Sequence, residues 1–337
     1  MRGVHVTEAR HGSQPALRVR HGDATVLLVP FWAGEGFPQD VRRALDDAPQ
    51  VTPPATLILA ARRISAGAQA LLGERGTSWA DETGRAVISA PHLLVVKDAP
   101  QPPKATPAPS AFRWTEGSAG IAECVLADAE AARAQPVAVS SAAVVDRLGV
   151  SPALVSHTFA RFDAQGWTVK SGPERGINAA RRLVDAGQML SAWAAWHSPR
   201  TQPVVEAHGL IRDTETWLRD EVTPHWHGHQ WALTGAAASD RRAPYLSSIP
   251  TIDLYLDARD FVDDGVLDGL LTSVGLRRVD RGARVRVFEA DRHVLKLATS
   301  LNGVPQVSDI RLYGDLLALG LRGPDAADHL RTTRIGF

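Results

Sequence analysis

The sequence predicts a multidomain protein that joins α/β and α+β units, on three observations. Strands alternate with helices ahead of a proline-rich run; two short helices and a hairpin follow that run; a longer mixed stretch completes the chain. With 337 residues there is room for two or three domains of roughly 150 residues each. The 44% hydrophobic share is close to that of ordinary globular proteins, so real cores can form and global disorder is excluded.

Residues 1–98 read as one α/β unit. ATVLLVPF and ATLILAAR are apolar runs of strand length. PQDVRRALDDA and SAGAQALLGERG are helical, the second with Ser65 as N-cap, and SWADETGRAVIS and HLLVVKD are further strands. Alternation of this kind implies sheet and helix layers. The order suggests a small restriction-endonuclease-like fold. A metal-dependent nuclease of that type needs carboxylates at a strand edge with a lysine close by. Asp81 and Glu82 are the acids so placed, but Glu82 is followed by Thr83, Gly84 and Arg85, and the next lysine is Lys97. Arginine holds its proton too tightly to activate water. The unit is therefore expected to be an inactive scaffold, in which Asp81 makes a turn hydrogen bond and Gly84 closes a hairpin.

Pro100, Pro102, Pro103, Pro107 and Pro109 mark residues 99–111 as an extended, semi-rigid linker.

Residues 112–200 form the middle unit. A short helix over Ala142–Leu148 presents Val144, Val145 and Leu148. Gly149 suits its left-handed end, and Val150 plugs the turn. Ser151 is an N-cap and Pro152 occupies the first helical position, where a missing N–H costs nothing. The second helix runs to about Gln165 with Val155, Phe159 and Phe162 as its buried stripe, and Gly166 ends it. Strands at Trp167–Lys170 and Ile177–Ala180 flank the turn sequence SGPERG. This order is the winged helix-turn-helix pattern, whose second helix is slim enough to enter a DNA major groove. Ser151, Ala153, Ser156, His157 and Arg161 are the side chains that could reach base edges. Lys170 and Arg175 on the wing, with Arg181 and Arg182 after it, could meet phosphate. A long helix over Arg182–His197 carries Leu183, Leu190, Trp193 and Trp196 for domain or dimer packing.

Pro199 and Pro203 set a softer boundary before the last unit, 201–337. There WALTGAAASDRRAP, then the strand IDLYLD, echo a nucleotidyltransferase, which uses a Gly-Ser turn and an Asp-x-Asp strand to hold divalent metal. Gly235 is followed by Ala236, and Asp253 has Tyr255 where a second carboxylate belongs. Asp257 on the same strand face is about 13 Å away. The unit is thus expected to be a degenerate nucleotidyltransferase-like α+β interaction domain. His225, His227 and His229 would share one face if extended, but neighbouring Trp226 and Trp231 favour packing, and no metal is assigned to them. Cys124 reads as a small buried hydrophobe.

Lys and Arg total 37 and so do Asp and Glu, which excludes whole-molecule basicity as a route to nucleic acid. The charge is uneven, however. Residues 136–182 hold six basic and three acidic side chains, whereas 204–337 hold 16 and 19. A polyanion would dock on the middle unit. No apolar run is long enough to span a membrane, and the first residues lack a signal-peptide core, so a cytoplasmic location is expected. One cysteine excludes an internal disulfide framework and a cysteine-based zinc cluster.

ARRISAGAQALLGERGTSWADETGRAVI, then the winged helix, then WALTGAAAS and LYGDLLALGLRGPDAADHLR, together resemble the AbiEi-like antitoxin/transcriptional regulators of type IV toxin–antitoxin systems. The resemblance implies a DNA-binding repressor of its own operon and, in paired systems, antagonism of a nucleotidyltransferase toxin. The sequence expectation is a sequence-specific double-stranded DNA-binding regulator without cofactor, acting as a homodimer. Two alternatives stand beside it. One is a metal-dependent DNA nuclease, using Asp81 and Glu82, that the winged helix targets. The other is an antitoxin that acts by binding a partner toxin.

Overall fold

A computed structural model of the chain describes residues 4–21, 24–91, 93–97, 112–132, 138–171, 179–320 and 322–337. The chain divides into two compact units that part at Ala111 and Phe112. Residues 112–336 form one unit, which takes in both the stretch 112–200 and the stretch from 201 onward.

The first unit contains β1 (Val4–His11), β2 (Gln14–His21), β3 (Ala24–Trp32), α1 (Pro38–Asp47), β4 (Ala55–Ala61), α2 (Ala66–Glu74), β5 (Ser78–Asp81), β6 (Ala86–Ala90) and β7 (Leu93–Lys97). The seven strands form one sheet in sequence order. β3, β4 and β5 run parallel, with α1 and α2 as the crossovers that parallel neighbours need. Antiparallel hairpins β1–β2 and β6–β7 flank them. Alternation along the central strands turns Phe31, Leu59, Ala61 and Trp79 to one face, where they pack with Val41 and Ala44 of α1 and Ala68 and Leu72 of α2. Burial of each large side chain contributes about 1.5–3 kcal/mol. Ser65 caps α2 by accepting from Ala68 N at 3.3 Å.

The second unit begins with α3 (Glu116–Ala132), β8 (Ala138–Ser140), α4 (Ser141–Leu148), α5 (Pro152–Ala164), β9 (Thr168–Ser171), β10 (Ala180–Leu183) and α6 (Ala186–His197). It continues with β11 (Val204–His208), α7 (Thr214–Thr216), a π-helical turn at Trp217–Val222, α8 (Thr223–His225), β12 (Trp231–Thr234), α9 (Gly235–Arg242), β13 (Ile252–Leu256), α10 (Ala258–Val262), α11 (Asp264–Ser273), β14 (Arg277–Arg278), β15 (Val285–Glu289), β16 (Thr299–Leu301), β17 (Val304–Gln306), α12 (Asp309–Leu317) and α13 (Gly323–Leu330). β8, β10 and β9 make a small antiparallel sheet in that order. The large sheet has the order β14-β11-β15-β13-β12-β17-β16, with β13–β15 and β12–β17 parallel.

One helix explains why the second unit does not split. Residues 118–126 of α3 are all buried, with Ile121, Ala122, Val125 and Leu126 wholly covered. α3 packs against α4, α5 and α6 and also against α12, so it belongs to both halves at once. The strand Leu183 belongs to β10, so the long helix starts later than expected, at Ala186, where Asp185 accepts from Gln188 N at 2.8 Å.

Candidate nucleic-acid interface

The helical pair is built as its sequence dictates. Ser140 caps α4 by accepting from Ala143 N at 3.1 Å. Gly149 ends α4 with φ of 62°, a left-handed conformation in which a Cβ would be strained. Ser151 then accepts from Leu154 N at 3.2 Å, and Pro152 opens α5. Val155, Thr158, Phe159 and Phe162 are buried beneath α5. The opposite face is open: Ser151, Pro152, Ala153, Ser156, His157 and Ala160 are all exposed. One helix therefore has a sealed side and a continuous accessible side that begins at its N-terminus.

The basic side chains do not all reach that side. Lys170 on β9 is exposed and has no ion-pair partner among the described residues. Arg161 is half-buried; its guanidinium lies 4.1 Å from the Phe112 ring centroid and donates to Arg113 O at 2.6 Å. A carbonyl does not neutralise it, so Arg161 stays a cation held in one place. Arg181, expected to touch DNA backbone, is buried instead and donates from Nε to both Asp163 oxygens, at 3.0 and 2.8 Å. Thr168 Oγ1 donates to the same carboxylate at 2.7 Å, so Asp163 clamps α5 to the hairpin. Arg182 is exposed, but strand alternation turns it to the hairpin face away from α5. Arg175, the other expected wing contact, lies outside the described residues.

An aromatic box supports this face. Phe112 and Trp114 pack on Phe162 and Trp167, with Trp114 and Trp167 stacked at 5.6 Å. Trp167 Nε1 donates to Gln188 on α6 at 2.7 Å. The FRW segment at 112–114 carried no role in the sequence reading; three aromatic or cationic residues directly after a proline run were its only signal.

Behind the helices lies a buried polar hub. Glu123 of α3 is fully buried. It accepts from Ser308 Oγ at 2.8 Å and from Arg311 Nε at 3.1 Å, and His293 Nε2 is 3.2 Å away. Burial alone would raise this carboxyl, but Arg311, His293 and Ser308 outweigh it and hold it down at about 2. Arg311 also donates to His197 Nδ1 at 3.1 Å, which leaves His197 Nε2 to donate to Asp315 at 2.7 Å. Burial and the nearby Arg311 charge lower the His197 pKa, in keeping with a neutral ring. Asp315 further accepts from Thr234 and Tyr255 hydroxyls at 2.5 and 3.1 Å. The hub thus ties α3 and α6 to α12 and the large sheet.

Residues 291–296 extend that grip to the helical pair. Arg292 N donates to Glu116 Oε1 at 3.4 Å, and Lys296 Nζ donates to Leu148 O, the C-terminal end of α4, at 2.7 Å. A Cβ at Gly149 would stand 2.9 Å from Lys296 Nζ, the end of a flexible side chain that can give way, so it is the left-handed backbone that calls for glycine there. Beside the hub, Glu130 of α3 shares a hydrogen bond with Asp309 of α12. Burial and then the Asp309 charge push Glu130 up to about 8. Cys124 is buried as expected, and burial, with Asp128 nearby, pushes its thiol up to about 12.

The other expected site residues are engaged in structural bonds. Both Asp81 oxygens are occupied: Oδ2 accepts from Ile64 N at 3.1 Å and Arg85 Nη2 at 2.7 Å, and Oδ1 from Thr83 Oγ1 at 2.5 Å. Burial alone would raise Asp81, and these bonds outweigh it to lower its pKa. Gly84 N donates to Asp81 O at 2.9 Å. Glu82 is more than half exposed and lies 3.9 Å from Arg62. Asp253 forms a two-point pair with Arg286, at 2.8 and 2.6 Å. Gly235, with φ of 63°, lets the chain pass over it, since a Cβ there would meet Asp253 Oδ2 at 2.5 Å. Asp257 caps α10. The three histidines are not extended: His225 and the residues around it are helical or turn, and His229 pairs with Asp260 at 2.9 Å. Among the described residues no group of histidine, cysteine and carboxylate side chains could hold a metal ion.

Residues 182–335 match the family described as transcriptional regulator, AbiEi antitoxin, type IV toxin–antitoxin system. Over that stretch, from β10 to the last helical turn, the chain is similar to the AbiEi-type antitoxin regulators. No curated protein and no solved structure matches the chain. The matched stretch contributes the hub residues His197, His293, Arg311 and Asp315 and the capping Lys296, whereas α4 and α5 precede it. No described helix is long and apolar enough to cross a membrane.

Proposed function

We propose that the chain is a cytoplasmic transcriptional regulator of the antitoxin type that binds double-stranded DNA through a winged helix-turn-helix formed by β8, α4, α5, β9 and β10. The single observation that carries this reading is the open side of α5. A helix capped at Ser151, buried on one side, and accessible along Ser151, Ser156 and His157 has the form that enters a major groove. Arg161 and Lys170 flank it as cations for the phosphates. The family match over 182–335 supports the regulatory role, and autorepression is part of the same proposal. A homodimer on a two-fold site follows from how little surface one such module covers. A toxin is the second partner that the family suggests.

The finer fold readings accompany this proposal. The first unit is read as a restriction-endonuclease-like scaffold, and the sheet from β11 onward as a nucleotidyltransferase-like interaction domain. The nuclease alternative is disfavoured because Asp81 has no oxygen left for a metal ion.

The test is a mobility-shift titration with the operon's own upstream DNA. His157→Ala with Lys170→Ala is expected to weaken binding about tenfold or more, since base and phosphate contacts are each worth roughly 1–3 kcal/mol. Arg181→Ala is expected to unfold the module instead. Equal affinity of the His157/Lys170 variant and the wild type would overturn the placement of α5.

A further inference from the structure

The described part of the reading module presents few unpaired cations, yet a second set lies on the first unit. Arg18 and Arg20 of β2 are exposed, and neither has an ion-pair or hydrogen-bond partner among the described residues. Antiparallel register sets Arg18 opposite Thr7 and Leu27, and Arg20 opposite His5 and Thr25. Directly opposed residues share a face, so His5, Thr7, Arg18, Arg20 and Thr25 form one surface. The only carboxylate on β1, β2 or β3, Glu8, pairs with Leu17 and so points to the other face. Further along the same face, Ala16, Val29 and Ala55 are buried in a cluster with Ala9, Leu27 and Val51, so the open part of the face is the end that carries the arginines.

We propose that this face of β1–β3 is a sequence-independent docking surface for a nucleic-acid backbone. The Cα atoms of alternate residues on one strand stand about 6.6 Å apart, so the two guanidinium groups rise from neighbouring points on one face. With no carboxylate between them they repel each other, and the strand gains from an anion that bridges them. A row of phosphates supplies a repeating anion, and the fork of each guanidinium matches a phosphate with two parallel hydrogen bonds. Thr7 and Thr25 hydroxyls beside the arginines are further donors to phosphate oxygens. An acidic protein fits less well. Stable protein interfaces centre on buried aromatic or large aliphatic anchors, and the exposed residues around these arginines are His5, Thr7 and Thr25, while Leu27 opposite Arg18 is already engaged in the cluster with Ala16 and Val29.

This inference takes its partner class from the proposed function but does not use α5. It is tested on the full chain by fluorescence anisotropy with a labelled random-sequence duplex over a range of salt concentrations. Arg18→Gln with Arg20→Gln is expected to weaken binding and to make the log–log salt slope shallower by roughly 1.8, the equivalent of two phosphate contacts. Lysine at both positions is expected to keep the wild-type slope, because the charge remains. The thermal melt of the first unit should not move in either variant. An unchanged slope and affinity in the glutamine variant overturns the inference, and so does an equal loss in the lysine variant. Competition by poly-glutamate as effective as that by duplex of equal charge overturns it in favour of an acidic protein. A wild-type chain that does not bind random duplex also overturns it. The two proposals fail separately: loss in the His157/Lys170 variant alone spares the α5 reading, and loss in the Arg18/Arg20 variant alone spares this one.

Discussion

The two units hold their buried charges differently. Beneath α1 and α2 the core is wholly apolar; the ion pairs lie outside it, where Arg62 is near Glu35 and Glu82 and the buried Asp81 is met by Arg85, which keeps part of its side chain exposed. In the second unit, Glu123 and Arg311 meet with neither side chain exposed. An apolar core accepts many arrangements of similar volume. A buried ion pair accepts very few, because either partner left alone is a charge without solvent. The first unit is thus set by hydrophobic patterning, and the second by a docking geometry that only one arrangement of α3, α6 and α12 satisfies.

The largest effect should come from breaking the hub on one side. Arg311→Met leaves Glu123 buried without its partner and is expected to cost about 3–5 kcal/mol. Urea unfolding should show the loss in the transition of residues 112–336 alone. Adding Glu123→Leu to the same chain should restore most of it, since the orphaned charge is then removed. If the double variant is no more stable than the single one, the hub is no ion-pair device.

A smaller loss is expected in the first unit. Asp81→Ala removes the acceptor for Ile64 N and Arg85 N and should cost about 1–3 kcal/mol, confined to the first unit's transition. A loss shared by both transitions would contradict the division at residue 111.

A third effect is read against pH. Glu130 has a folded pKa raised from 4.5 to about 8, so its protonated form is the one the fold prefers. Its contribution is fully present below 4.5 and is lost as pH rises through about 8. Glu130→Gln should therefore flatten the fall in stability of the second unit between those limits. A pH profile identical to wild type in thermal melts would remove Glu130 from the account.

What the sequence revealed follows from how far apart the determining residues lie. α5 was legible from Ser151, Pro152, Val155, Phe159 and Phe162, because caps and spacing are local. β4 and α2 were legible for the same reason, from an apolar run and from Ser65. The hairpin β1–β2 was not, since VHVTEARH and QPALRVRH alternate charged and small residues around few large apolar ones. Nor was the hub: Glu123 and Arg311 are separated by 188 positions, and a pair so distant leaves no period in either segment. Arg181 was assigned to the surface by its charge; the carboxylate that draws it inward, Asp163, lies on a different element. In HWHGH the neighbouring tryptophans were the legible signal, and Trp226 and Trp231 are buried; the backbone there is helical and turning rather than extended.

Lys296 seals the end of α4 from a position 148 residues downstream. On the ribosome, then, α4 and α5 emerge long before the group that finishes their turn. A polypeptide stopped early, by a nonsense codon or a protease, would keep every residue of α4 and α5 yet lack the clasp that fixes the angle between them. Grafting residues 112–200 alone onto another protein would carry the same deficit, so the transplantable piece is the whole stretch from Phe112 onward.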